Sequence, residues 1–233
     1  MVRNDVIVTQ QPIQCAPRTI TKGIFVRRFI VIGVLLLALT ACGESSVADT
    51  NTKEEAVVKQ YDAHPGTVIE SGKSYSAVIK TNLGDVTFDL LADEAPLAVN
   101  SFVFLAREGY FNGVLFHRII PGFMAQGGDP TGLGTGGPGY YFEIEAPQRP
   151  YTRGSLAMAN KGAGTNGSQF FIVFTDLTAE ERLSPDYSLF GQMADGESTL
   201  KALEAVPVTE SATGERSRPM QEVRISSVDI IES

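Results

Sequence analysis

The 233 residues, 43% hydrophobic and 20% charged, suit one medium-sized globular domain with additional sequence at one end, and leave too little chain for a second full domain. A formal charge of -8, with no basic stripe after residue 28, excludes a nucleic-acid or anionic-lipid surface, because phosphate binding rests on clustered cations.

The additional sequence is at the front. Phe29 to Ala41 (FIVIGVLLLALTA) is an uncharged apolar run preceded by Lys22, Arg27 and Arg28, the pattern of a signal-peptide n-region and h-region. Its 13 residues fall short of the roughly 20 that span a bilayer as a helix, so residues 1–41 read as a processed signal rather than a permanent anchor. The run closes on Leu39-Thr40-Ala41-Cys42, which resembles a lipobox, the site at which bacterial lipoproteins are acylated on Cys and cut before it. That resemblance implies lipidation at Cys42 and attachment to a membrane of the cell envelope, with the folded part outside the cytoplasm. Cleavage would remove five of the 19 basic and one of the 27 acidic side chains, for a net charge of -12. Attachment then has to come from acyl chains, not charge. With Cys15 discarded and Cys42 acylated, no thiol remains for a disulfide, nucleophile or metal.

Residues 42–74 are rich in Ser, Thr, Asp, Glu and Lys and read as a flexible polar tether, with a short helix near Thr52 to Gln60 and a solvated His64. From Tyr75 the pattern changes. Ser76 to Lys80 and Asp85 to Leu91 alternate around Asn82-Leu83-Gly84, as two strands joined by a tight turn. Pro96 opens a helix to Glu108, and Gly109 stops it. Further strands are expected over Val114 to Ile119, Phe123 to Gly127, Gly154 to Ala159, Phe170 to Thr175, Leu189 to Met193 and Val223 to Ile231, with a second helix near Thr199 to Ala205. Many short strands with two helices give a mainly β chain folded as an antiparallel barrel or sandwich. The Gly-rich run from Gly127 to Gly139 lacks the Gly-Lys-Ser/Thr ending of a phosphate loop, so it reads as a flexible surface loop.

Two stretches carry the chemistry: FHRIIPGFMAQGGD (Phe116 to Asp129) and MANKGAGTNGSQFFI (Met158 to Ile172), followed by Leu189-Phe190-Gly191. All three, in this order, resemble the signature segments of cyclophilins, and the resemblance runs from Tyr75 to Ile231. It implies a closed eight-stranded antiparallel β-barrel capped by two α-helices over residues 75–233. A monomer is expected, although the sequence does not reveal whether the domain dimerises. The implied activity is cis/trans isomerisation of X-Pro peptide bonds in polypeptides, assisting the folding of exported proteins.

Rotation about an X-Pro bond faces a barrier of roughly 18–20 kcal/mol because amide resonance must be broken, and no covalent bond changes. The reaction therefore needs no nucleophile, cofactor or metal. It needs a donor for a deconjugated prolyl nitrogen, an apolar pocket for the ring and polar groups to hold one flank. The resemblance assigns the donor to Arg118 and the ring pocket to Phe123, Met124 and Phe171 with Leu183 at the rim. It gives the substrate backbone to Gln126 and Asn160, and the groove lining to Ala159 and Gln169. Period-2 patterning alone leaves the apolar members equally readable as core, and Asn160 as a turn residue. His117 is assigned to positioning or groove lining, since no proton is transferred. With no His or Cys partners at ligand spacing, a metal is not expected.

The chain departs from the family pattern at the rim. Where many cyclophilins carry a Trp that contacts cyclosporin and a His deeper in the pocket, Arg182 and Tyr187 stand here, so weak cyclosporin binding is expected. The alternative of a module that holds Pro-containing segments without turnover uses the same residues, and the sequence leaves it open.

Overall fold

The computed structural model describes residues 58–177 and 183–233. The expected signal segment 1–41, the lipidation residue Cys42, the front of the expected tether and Arg182 lie outside the described residues.

The domain opens with a hairpin, β1 (Tyr75–Thr81) and β2 (Gly84–Leu90), turned at Asn82 and Leu83 as the sequence predicts. The Thr81 hydroxyl closes the turn, donating to Gly84 O at 2.7 Å and accepting from Leu83 N at 3.0 Å. Helix α1 (Pro96–Arg107) starts on Pro, whose missing N–H costs nothing in a first turn. Its Ncap residue, Ala95, supplies no cap. Glu145 does so from a distance, its carboxylate accepting from Leu97 N at 2.7 Å and Ala98 N at 2.9 Å. Along α1 Ala98, Val99, Phe102, Val103, Leu105 and Ala106 are buried.

Then follow β3 (Arg118–Ile120), β4 (Met124–Gly127), β5 (Ser155–Met158), β6 (Phe170–Val173), β7 (Leu189–Asp195), α2 (Glu197–Glu204), β8 (Val208–Glu210), β9 (Arg216–Pro219) and β10 (Ile225–Glu232). Eight strands form one antiparallel sheet in the order β10-β1-β2-β7-β5-β6-β4-β3, and β8 and β9 make a separate hairpin that the sequence reading missed. The core gathers Phe88, Phe102, Phe111, Phe116, Phe170 and Phe190, with Phe102 touching the rings of Phe111, Phe170 and Phe190 at centroid distances of 5.1 to 5.6 Å.

Two expectations are corrected. The sheet is not a closed barrel: it is a curled antiparallel sheet whose edge strands β10 and β3 do not pair. The expected strand from Val114 forms a ladder only from Arg118. Ahead of it, Leu115 makes isolated bridges to Asp129 and Arg224. Three backbone bonds link the segment ahead of β3 to the start of β10 and the residue Val223 before it: Gly113 N to Ile225 O at 2.8 Å, Ile225 N to Val114 O at 2.8 Å and Phe116 N to Val223 O at 2.9 Å.

The second correction concerns residues 58–74, the described part of the expected tether. Val58 to Gln60 are not helical. Tyr61 packs edge-on against Phe104 at 5.0 Å and donates its N–H to Pro138 O at 2.8 Å. His64 is half-buried against Tyr140 and Phe142, not solvated. Val68 N and Ile69 N both donate to Oδ1 of Asn100, a buried polar residue of α1. A polar composition concealed this strap because a few spaced aromatic and aliphatic side chains suffice to seat it when the surface opposite is apolar.

Candidate functional site

Strands β5 and β6 are buried on both faces, which a single-cored sheet would not require. Leu156, Met158, Phe170 and Ile172 face the main core, whereas Ala157, Phe171 and Val173 face a second cluster with Met124, Tyr151, Leu177 and Leu189. Phe123, Ala159, Leu183 and Tyr187 pack onto that second cluster from the side. A concavity of about 210 Å³ opens there, lined by Arg118, Phe123, Met124, Gln126, Ala159, Asn160, Phe171, Leu183 and Tyr187. All nine are residues that the sequence singles out. Tyr187 stands perpendicular to Phe171, with ring centroids 5.5 Å apart, so this side of the pocket is a pair of aromatic walls.

The polar wall is a relay across β3, β4 and β6. Arg118 and Gln126 are directly opposed in the β3–β4 ladder, and Gln126 faces Phe171 in the β4–β6 ladder. Arg118 Nη1 donates to Gln126 Oε1 at 3.2 Å, Gln126 Nε2 donates to Gln169 Oε1 at 2.9 Å, and Gln169 Nε2 donates to Gly136 O at 2.9 Å. Each amide is thereby locked in one orientation.

The sequence reading missed Glu215, in the β8–β9 turn. Its two carboxylate oxygens accept from Arg118 Nε and Nη2, both at 2.7 Å, a two-pronged bridge that fixes the plane of the guanidinium. Hydrogen bonds from Arg118 hold the Glu215 carboxyl down at about 2, against the opposing push of partial burial. A signal for the turn existed: Ser211 to Gly214 separates two short extended runs and contains a Gly, which adopts φ 83° and lets Ser211 N reach Glu215 O at 2.8 Å.

The other predicted residues fall just outside the pocket. Gln169 lines a neighbouring concavity of about 200 Å³ with Asn160, Lys161 and Tyr141. His117 lines a larger cleft on the Arg118 side. Burial pushes its imidazole below the usual pKa and Arg118 adds to that push, while Asp129 pulls the other way. The side chain of Asn160 is occupied in its own loop, donating to Asn166 Oδ1 at 3.1 Å and Asp186 O at 2.9 Å. Any hold on a substrate backbone therefore falls to its main chain.

The Gly-rich run beside the pocket is pinned. Fully buried Asp129 accepts from Thr131 N at 2.7 Å, Thr131 Oγ1 at 2.8 Å and Gly136 N at 3.0 Å. Among the described residues, no group of three or more His, Cys, Asp or Glu is placed to hold a metal ion.

Comparison with known proteins identifies the family. The family model described as "Cyclophilin type peptidyl-prolyl cis-trans isomerase/CLD" matches residues 76–230. A peptidyl-prolyl cis-trans isomerase of Helicobacter pylori is 44% identical over 146 residues, covering 61% of this chain and 88% of its own length. A crystal structure of a Cryptosporidium parvum cyclophilin-type isomerase superposes with a TM-score of 0.62 at 38% identity, over 68% of this chain and 98% of that one. The C. parvum protein in the presence of the dipeptide Ala-Pro gives 0.61 at 39% identity, over 67% and 98%. The chain therefore belongs to the cyclophilin family and is a peptidyl-prolyl cis-trans isomerase acting on Pro-containing peptides.

Proposed function

We propose that Arg118 is the donor that drives the isomerisation and that the 210 Å³ pocket seats the prolyl ring, in a monomer anchored to the cell envelope by acylated Cys42. The observation that carries the first part is the convergence of nine sequence-predicted residues on one pocket with a guanidinium at its wall. A planar cation held by Glu215 and Gln126 keeps unshared N–H groups for the prolyl nitrogen as it loses conjugation. The carboxylate fixes the plane in advance, so reorienting it does not add to the barrier. Phe123, Met124 and Phe171 grip the ring, with Leu183 and Tyr187 at the rim. Gln126 and the main chain at Asn160 hold the substrate backbone, with His117, Ala159 and Gln169 lining its path.

The envelope part rests on Phe29 to Cys42, where a basic flank, an apolar run and a terminal Cys follow one another. Outside the cytoplasm the enzyme would shorten prolyl-limited folding steps of exported proteins, which take tens of seconds uncatalysed. Two measurements test this. Refolding of an exported protein limited by a cis-Pro should be accelerated by the full chain and not by its Arg118→Ala variant. A fatty-acid label fed to the cells should be incorporated into the wild type and not into Cys42→Ser; a wild type that takes up no label would refute the anchor.

A further inference from the structure

The proline pocket is not the largest concavity beside Arg118. A cleft of about 870 Å³ lies between the Gly-rich loop and the β8–β9 hairpin, and shares Arg118 and Gln126 with the pocket. Its apolar lining includes Leu115, Phe116, Leu133, Pro219, Met220 and Val223. Leu133 is 78% exposed and Met220 68%, so two large apolar side chains on opposite sides of one opening stand in water. The charges nearest the pocket, Arg118 and Glu215, are spent on each other. Gly134, beside the His117 ring, adopts φ 80°, a backbone conformation that suits glycine.

We infer that this cleft is an extended substrate subsite, which takes apolar side chains of the polypeptide whose proline occupies the neighbouring pocket. It rests on the proline pocket being where the ring sits. The occupant follows from continuity: the pocket and the cleft share Arg118 and Gln126, so a chain leaving the pocket past Arg118 enters the cleft directly. The size also fits, since a space about four times that of the proline pocket holds a segment with side chains rather than one group. Of the charges in the lining, Arg118 pairs with Glu215 and Glu222 with Arg224, and the further cation, Arg218, is exposed, so an apolar segment is favoured over a basic one. The enzyme would then prefer unfolded, apolar stretches around proline over isolated X-Pro bonds.

The test uses the full chain in detergent and a Ser/Ala host peptide with one Ala-Pro bond, with a single Leu moved stepwise along both flanks. Affinity is read by fluorescence anisotropy and turnover by exchange NMR. On one flank, Leu should tighten binding of the wild type about tenfold, the order expected from burying much of one leucine side chain. Leu133→Ser/Met220→Ser should reduce that gain to less than about twofold. Exchange of the Leu-free host should be unchanged, and both residues are too exposed for their loss to unfold the chain. A wild type indifferent to Leu, or a gain that survives in the double variant, overturns the subsite. So would sedimentation showing a dimer that the double variant abolishes, since the patch would then bind a second copy. Loss of host exchange in Phe171→Ala reports on the proline pocket separately, so failure of that reading is distinguishable.

Discussion

Phe170 and Phe171 are consecutive in β6 and almost equally buried, at 0% and 6% exposure, yet they belong to different parts of the molecule. Phe170 meets Phe102, Phe111 and Phe116 in the main core, while Phe171 meets Tyr187 on the wall of the 210 Å³ pocket. Strand geometry sends them to opposite faces of the sheet. Burial therefore does not separate core residues from pocket-lining residues here; the face does.

The largest effect that would sharpen this contrast is on stability. Phe170→Ala should cost about 3–5 kcal/mol in urea unfolding, the range for emptying an aromatic core site. Phe171→Ala should cost about 1–2 kcal/mol and instead abolish most turnover of an Ala-Pro peptide. Equal losses of stability with equal retained activity would break the distinction between the faces.

A second test lies on the strap. Asn100→Ala leaves Val68 N and Ile69 N without their shared acceptor and should cost about 1–3 kcal/mol. Faster amide exchange should be confined to residues 64–70 and turnover left unchanged. Exchange that spreads into β6 would mean that the strap supports the site after all.

A smaller effect is expected from Glu215. Its carboxyl sits at about 2 in the folded chain against an ordinary 4.5, so its stabilising contribution is complete above 4.5 and is lost as pH falls through about 2. Between those values the wild type should lose stability more steeply than Glu215→Gln, by a modest margin because the pair is partly exposed. Parallel pH profiles would show that the bridge is not maintained in solution. The smallest signal is expected from cyclosporin, which should inhibit only weakly, since Tyr187 lines the pocket and the sequence has Arg182 where many cyclophilins have Trp; tight inhibition in a titration would contradict that reading.

Much of the pocket was legible because seven of its nine lining residues lie in two unbroken motifs, with Leu183 and Tyr187 outside them. Arg118 and Gln126 come from one and Phe171 from the other, and antiparallel pairing of β3, β4 and β6 brings them together. Glu215 was not legible, because it stands 97 positions from Arg118 on a hairpin of short, charged strands that carry little periodicity. The strap was missed for a related reason: Tyr61, His64, Val68 and Ile69 are too widely spaced to form a pattern, and Asn100 reads as a surface residue of α1 until its partners are seen. Closure of the sheet was overstated because it was carried over from the cyclophilin resemblance, whereas here Gly113 to Phe116 bond to Val223 and Ile225 without a ladder that pairs β3 with β10.

The account turns on Arg118. The most direct measurement is the rate of cis/trans exchange of a short Ala-Pro peptide at low temperature, with the full chain as wild type and as Arg118→Ala, both shown to be folded by circular dichroism. The account predicts rapid exchange with the wild type and about a hundredfold less with the variant, the order seen when one preorganised donor is removed. A folded variant that accelerates exchange as well as the wild type would contradict it.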